Sequence, residues 1–191
     1  MKIIFAQGNP EAKYTDTRHN VGFAVLDQYA QQQSAQFSDK PKFFAQVAEL
    51  VVAGEKVLLT KPTTYYNETG RSARALVDFY KADPATDLLV VHDDLALPFG
   101  TLRVRQQGSD AGNNGIKSLN AHLGTNYHRL RIGVSNDSRE HIVDVDFVLS
   151  RFSREESDAL AATIIPAACD IIDTFVAGTH EITSHKSLTL A

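Results

Sequence analysis

The chain has 191 residues, of which 43% are apolar and 22% charged, with a formal net charge of −4. That is enough for one domain with a sizeable core and hardly enough for two, with the composition of an ordinary soluble protein. No apolar run is long enough to span a bilayer, the start Met1-Lys2-Ile3-Ile4-Phe5 meets a polar turn by Gly8 and so predicts no signal peptide, and the single cysteine, Cys169, excludes an internal disulfide or a thiol-rich metal site.

Residues 2–7 read as a buried strand. Residues 20–33 read as a helix, with Val21, Phe23, Ala24, Leu26 and Tyr29 at roughly helical spacing. Residues 43–52 and 56–61 predict two strands joined at Ala53-Gly54-Glu55. Residues 67–80 predict a helix with Ala73, Leu76, Val77 and Tyr80 toward the core. Leu88-Leu89-Val90-Val91 is a continuous apolar run, the pattern of a strand buried on both faces. Leu102 to Arg105 is a further strand, residues 114–123 a short helix, and Leu130 to Val134 a strand. Ser153-Arg154-Glu155-Glu156 is a capping box for a helix reaching about Gly178, and Pro166 should kink or break it. The domain is expected over 1–178, with a flexible tail over 179–191. Strands alternating with helices imply an α/β fold, and the adjacent pair at 43–61 makes the sheet mixed.

Ligands in such sheets bind at the carboxyl ends of strands. Asn9, Asn67 and Asp93 each fall shortly after a predicted strand. His19, in Thr17-Arg18-His19-Asn20, lies near a strand end and at the start of a helix. An imidazole is well suited to take a proton near neutral pH, and a carboxylate on its other nitrogen would fix the tautomer and stabilise the imidazolium. Asp93 follows a buried strand, where a carboxylate needs a partner. Alternatively, His92-Asp93-Asp94 is a strand-end turn or a pair of metal ligands, but paired His or Cys ligand spacing is missing. No Gly-x-Ser-x-Gly elbow is present, and Cys169 sits in an apolar stretch. A base without a protein nucleophile points to attack by water, which suits an activated ester better than an amide. Asn9, Asn67 and Asn114 would orient water and substrate, although asparagine is also common in turns and N-caps, and Asn67 and Asn114 fall where N-caps are expected. The glycine-rich run 108–115 matches neither a P-loop nor a Rossmann fingerprint, and would let backbone approach a ligand closely.

Charge is unevenly spread. Between Thr101 and Arg131 lie Arg103, Arg105, Lys117, Arg129 and Arg131 against one acid, Asp110. The stretch is either a phosphate-binding surface or a solvated basic face.

These motifs together resemble the bacterial-type peptidyl-tRNA hydrolase family. The resemblance runs from Ile3 to about Phe152. It is carried by Gly8-Asn9-Pro10 with Tyr14 and Thr17-Arg18-His19-Asn20, by Lys61-Pro62-Thr63-Thr64-Tyr65 with Asn67 and Gly70, by His92-Asp93-Asp94-Leu95 with Leu97-Pro98 and Gly100, by Gly112, Asn114 and Gly115, and by Arg129-Leu130-Arg131-Ile132-Gly133. It implies a single α/β domain, a mixed twisted sheet flanked by helices on both faces, acting as a cytoplasmic monomer without metal, cofactor, membrane or obligate protein partner. It implies His19 as catalytic base, Asp93 as the carboxylate that holds it, and Asn9 as the amide that helps tell peptidyl-tRNA from free aminoacyl-tRNA. Tyr14, Tyr65, Asn67 and Asn114 would contact the tRNA acceptor end or the peptide, and Arg105 and Arg131 would clamp the tRNA 5′-phosphate. The chain departs from the family pattern at Ala6-Gln7 (usually Gly-Leu), Glu11 (glycine), Tyr66 (methionine), Asn113 (histidine) and Ser135-Asn136-Asp137 (glycine, a basic residue and proline). The segment 137–146 is acidic, so the tRNA is expected on the Arg103–Arg131 side. A non-catalytic RNA-binding relative would not need His19, Asp93 and Asn9, and a small-molecule esterase would not need the guanidinium clamp.

Overall fold

The structure is a computed structural model that describes residues 1–182 and the backbone of 186–187. In chain order its elements are β1 (Lys2–Ala6), α1 (Val21–Gln32), β2 (Ser38–Lys40), β3 (Ala45–Val52), β4 (Glu55–Pro62), α2 (Thr69–Tyr80), α3 (Pro84–Asp87), β5 (Leu88–Pro98), β6 (Thr101–Arg105), α4 (Asn114–Leu123), β7 (His128–Ser135), α5 (Asp144–Leu149), α6 (Arg154–Ala159) and α7 (Ile165–Val176). The strands form one sheet in the order β2-β3-β4-β1-β5-β7-β6, and Lys186–Ser187 pairs at the β6 edge. The four central strands are parallel, while β2, β3 and β6 run antiparallel to their neighbours. The α/β class and mixed sheet expected from the sequence are therefore present.

Alternation along the strands builds two cores. Ile4, Ala6, Leu59, Leu89, Val91, Leu130 and Ile132 pack with α1 and α7. Ile3, Phe5, Leu58, Leu88 and Val90 pack with α2 and α4 on the other face. A strand covered on both sides has no solvated face to mark with polar residues, which explains the unbroken apolar run at the start of β5. The β3–β4 turn is Ala53-Gly54, both at positive φ, as the two-residue hairpin connection requires.

β5 is longer than its apolar run. It continues through His92-Asp93-Asp94 to Pro98, because β7 pairs beside it, with Asp93 opposite Ile132 and Asp94 opposite Gly133. The short elements β2, α3 and α5 were not expected, since three to six residues show no period.

Pro166 marks an interruption of the α-helical pattern, as expected, without ending the last helix. A π-helical turn at Leu160–Ile164 precedes it and joins α6 to α7. The widened turn accommodates the missing N–H and the ring, which would otherwise crowd the preceding carbonyls. Contrary to the expectation from the sequence, the span Arg154–Val176 is long and apolar enough by composition to cross a bilayer. Here it behaves as a core helix: Ile164, Ala168, Ile172 and Phe175 are buried in the α1 core, and Tyr29 donates to Asp173 Oδ1 at 2.6 Å. Cys169 lies in the same core, with its thiol pushed up to about 12 by burial, so it is inert packing as expected. The expected tail over 179–191 lies largely outside the described residues. Within them, His180 packs against Phe175 and sets its Nε2 3.2 Å from His128 Nδ1.

One buried ion pair fastens the turn that carries His19. Arg18 is 4% exposed. Its guanidinium donates to both carboxylate oxygens of Glu156 at 3.0 and 2.7 Å and to the Val134 carbonyl at 3.2 Å, between the rings of Phe147 and Phe152. Glu156 also closes the predicted capping box with Ser153 and accepts from Asn136 at 2.7 Å. Burial pushes the Glu156 carboxyl up, but Arg18 and the other donors outweigh it and hold the group below its ordinary value of 4.5.

Glu156→Ala would leave a buried guanidinium without its partner, at a cost of about 3–5 kcal/mol near neutral pH. Because the folded-state pKa is depressed, this stabilisation is full above pH 4.5 and is lost as pH falls through the folded value. Urea unfolding of wild type and variant at neutral pH and at about pH 3 should show the difference shrinking in acid. A gap that stays constant would place the loss in packing instead.

Candidate active site

β1, β4 and β5 present their carboxyl ends to one sheet edge. Beyond β1, a loop and a 3-10 turn at Arg18–Asn20 bring up Asn9 and His19. Beyond β4, Tyr65 leads into a 3-10 turn at Tyr66–Glu68. β5 delivers Asp93 from within the strand, and the start of α4 delivers Asn113 and Asn114. These residues line a cleft of about 410 Å³, whose far wall includes Leu95, Arg139 and Val145.

His19 Nδ1 lies 2.9 Å from Asp93 Oδ2. Asp93 is 1% exposed, and a carboxylate that deep must be paired or protonated. Burial pushes its carboxyl up. The His19 charge and the hydrogen bonds from His19 and Tyr66 outweigh that and hold it below the usual carboxylate range. An ionised Asp93 accepts a hydrogen bond from Nδ1–H, which leaves Nε2 as the imidazole's basic nitrogen. Asp93 Oδ1 accepts from the Tyr66 hydroxyl at 2.6 Å. The Tyr66 ring stacks on the imidazole with centroids 3.5 Å apart and planes 12° apart.

Asn9 is held on three sides. Its N–H donates to Asn20 Oδ1 and its C=O accepts from Asn20 Nδ2, both at 2.9 Å. Its own Oδ1 accepts from the Tyr66 backbone N–H at 2.9 Å. The side-chain carbonyl is thus committed to the protein, and the amide N–H is what Asn9 can offer a substrate.

Of the other residues singled out in the sequence, Tyr65, Asn67 and Asn114 line the cleft and are exposed there. Neither asparagine is an N-cap, contrary to expectation. Glu68 holds the N-cap position of α2 without a side-chain hydrogen bond, and Asn113 caps α4 by accepting from the Ile116 N–H at 3.0 Å. The 3-10 turn shifts one helix start past Asn67, and the capping role falls one residue before Asn114.

Tyr14, Arg105 and Arg131 lie outside the cleft lining. Tyr14 sits on a 3-10 turn at Ala12–Tyr14, with Lys13 over its ring at 4.8 Å. On the β6–β7 ladder Arg103 pairs with Arg131 and Arg105 with Arg129, so Arg105 and Arg131 are diagonal neighbours. Arg131 Nε donates to Asp94 Oδ2 at 2.5 Å. The basic stretch is not a uniformly solvated face. Arg129 is 4% exposed and donates to the Ser109 carbonyl at 2.9 Å, so it secures the glycine-rich loop.

Sequence reasoning did not assign roles to Tyr66, Asn113, Asn20 or Arg139. Tyr66 and Asn113 stood out only as departures from a pattern, and Asn20 as a neighbour of His19. Arg139 donates to the Leu95 carbonyl at 2.6 Å and pairs with Asp144 at 3.0 Å, which makes the acidic segment 137–146 a wall of the cleft. Among the described residues, no group of three or more His, Cys, Asp or Glu side chains is arranged to hold a metal ion.

The family model described as peptidyl-tRNA hydrolase matches residues 3–189. The peptidyl-tRNA hydrolase of Ligilactobacillus salivarius is 44% identical over 161 residues, which is 84% of this chain and 85% of that one. The peptidyl-tRNA hydrolase of Synechocystis sp. is 48% identical over 158 residues, 81% of this chain and 79% of that one. The crystal structure of peptidyl-tRNA hydrolase from Acinetobacter baumannii aligns with a TM-score of 0.85 at 31% identity, covering 93% of this chain and 89% of that one.

Asn20 does not line this cleft, yet it satisfies the backbone of Asn9. Asn20→Ala leaves a buried N–H and C=O without partners, for about 1–3 kcal/mol of stability. Turnover should fall as well, because Asn9 and the Tyr66 backbone lose their common anchor. Urea unfolding and single-turnover kinetics on the same preparation check both, and a stability loss with unchanged turnover would show that Asn9 keeps its place without the clasp.

Proposed function

The chain belongs to the peptidyl-tRNA hydrolase family and acts on peptidyl-tRNA, and we propose that it does so with a water made nucleophilic by His19. The observation that carries this reading is the 2.9 Å contact between His19 Nδ1 and a buried, ionised Asp93 at the floor of the cleft. A water at His19 Nε2 gives up a proton as its oxygen bonds to the ester carbonyl carbon. The imidazolium, stabilised by Asp93, then returns the proton to the ribose oxygen as the C–O bond breaks. The products are a free peptide carboxylate and a tRNA with its terminal hydroxyl restored, which returns the tRNA to translation in the cytoplasm.

Asn9, Asn67 and Asn114 supply neutral amides that orient the carbonyl and the acceptor end without titrating. Exposed Tyr65, and Tyr14 on the adjoining turn, offer rings to the acceptor end or the peptide. Arg105 and Arg131 clamp the 5′-phosphate. Diagonal positions on a ladder stand about 7–8 Å apart, a spacing at which two guanidinium groups can share one phosphate. Asp94 braces Arg131 through Nε at 2.5 Å, which leaves the planar fork oriented before the phosphate arrives.

His19→Ala should remove about 10²–10⁴-fold of turnover while peptidyl-tRNA still binds. Release of peptide from purified peptidyl-tRNA under single-turnover conditions reads this directly, and near wild-type release would refute the assignment. Arg105→Ala and Arg131→Ala should weaken substrates that carry a 5′-phosphate more than short esters that lack one, and should flatten the salt dependence of binding. Equal losses on both substrates would assign the two arginines to the fold.

A further inference from the structure

Tyr66 is 4% exposed, and its hydroxyl lies between two polar groups. Asp93 Oδ1 is 2.6 Å away, and Asn113 Nδ2 is 3.0 Å away. A phenol has one proton to donate. The direction of this chain is set by a helix cap. Asn113 Oδ1 is engaged by the Ile116 N–H at 3.0 Å, so the amide cannot turn round without uncapping α4. Only its NH₂ group faces Tyr66. The Tyr66 hydroxyl therefore donates to Asp93, and its oxygen accepts from Asn113. Burial, and then the charge of Asp93, push the phenol well up, so that proton is retained.

The ring is as constrained as the hydroxyl. One face stacks on His19. At its edge is Gly115, where a Cβ would collide with the ring. Tyr66 and Asn113 are also two of the positions at which the chain departs from the pattern it resembles, and here the two side chains touch.

We propose that Tyr66 is a positioning residue for the His19–Asp93 pair, and that Asn113 sets the direction of the hydrogen bond through which it acts. The proposal rests on His19 being the base. Asp93 then has a donor on each oxygen, so its plane is fixed and with it the tilt of the imidazole. The Tyr66 hydroxyl also shares the carboxylate's charge with His19. Removing it loosens the pair and at the same time strengthens the pull of Asp93 on the imidazolium. The other titratable and charged groups facing the pair are His92, Asp94 with Arg131, Arg139 with Asp144, and Asp110. None of them is altered by changes at 66 or 113.

The test is the pH dependence of single-turnover hydrolysis, with KM from steady-state kinetics and the His19 imidazole titrated by NMR. Tyr66→Phe keeps the ring and its stack. It should lower turnover about tenfold, since one hydrogen bond to a charged group is lost, with KM changed less than about twofold. The acid limb of the profile should move to higher pH by roughly half a unit, because a less shared carboxylate favours the imidazolium. Asn113→Ser keeps a good N-cap but cannot reach the phenol. It should move the profile the same way by less, and the double variant should be no worse than Tyr66→Phe alone. Unchanged turnover, profile and His19 titration in Tyr66→Phe would overturn the proposal, and so would a loss confined to KM. A His19 imidazole titration that moves by NMR while the rate profile stays put would instead overturn His19 as the base, leaving its coupling to Tyr66 intact.

Discussion

A carboxylate buried inside a β-sheet is costly unless it is both paired and hydrogen-bonded, and Asp93 is such a carboxylate. It lies on β5 beyond the apolar run, 1% exposed, with Ile132 opposite it in the ladder. Its two oxygens are taken by His19 and Tyr66, which come from different connections of the sheet. That requirement draws the loop after β1 and the turn after β4 together over the end of β5. A site built this way is held by its own electrostatics: either partner, removed, leaves a buried charge with an empty position.

The rest of the fold holds those connections still. Asn20 ties the backbone of Asn9, and the Asn9 amide carbonyl ties the turn that carries Tyr66. Arg18, next to His19 in sequence, is locked to Glu156 at the start of α6. The His19 imidazole thus stands between two buried anchors, one polar and neutral, one ionic. The first turn of α6 does a second job, since the carboxylate that closes its capping box also holds the turn that carries His19.

Much of this was legible in the sequence, for physical reasons that vary by element. Both-face burial leaves an unbroken apolar run, so the central strands could be found from β1 and Leu88–Val91. Amphipathic period located α1 and α2, the glycine-rich run before it marked α4, and the Ser153–Glu156 pattern located the start of α6. His19, Asp93 and Asn9 followed from chemistry placed at strand ends. What was hidden depends on tertiary pairing. Nothing local says that β5 continues through three polar residues, because β7 supplies the partners. Asn113 rather than Asn114 caps α4, a difference of one residue that no pattern resolves. The Tyr66–Asp93 contact was invisible because, far from both His19 and Asp93 in the chain, a tyrosine is simply an aromatic residue. Only the fold puts its oxygen on Asp93. The basic stretch was misleading in one respect, since Arg129 turns inward to the glycine-rich loop.

The central claim is that Asp93 acts through His19 and not independently of it. The most direct measurement is single-turnover hydrolysis of peptidyl-tRNA across pH by wild type, Asp93→Asn, His19→Ala and the double variant. Without the carboxylate the imidazolium is less favoured, so the acid limb of Asp93→Asn should move to lower pH. Its turnover should fall less than that of His19→Ala, and the double variant should be little worse than His19→Ala, as groups acting as a unit are not additive. An acid limb that does not move, or losses that add in the double variant, would contradict the account.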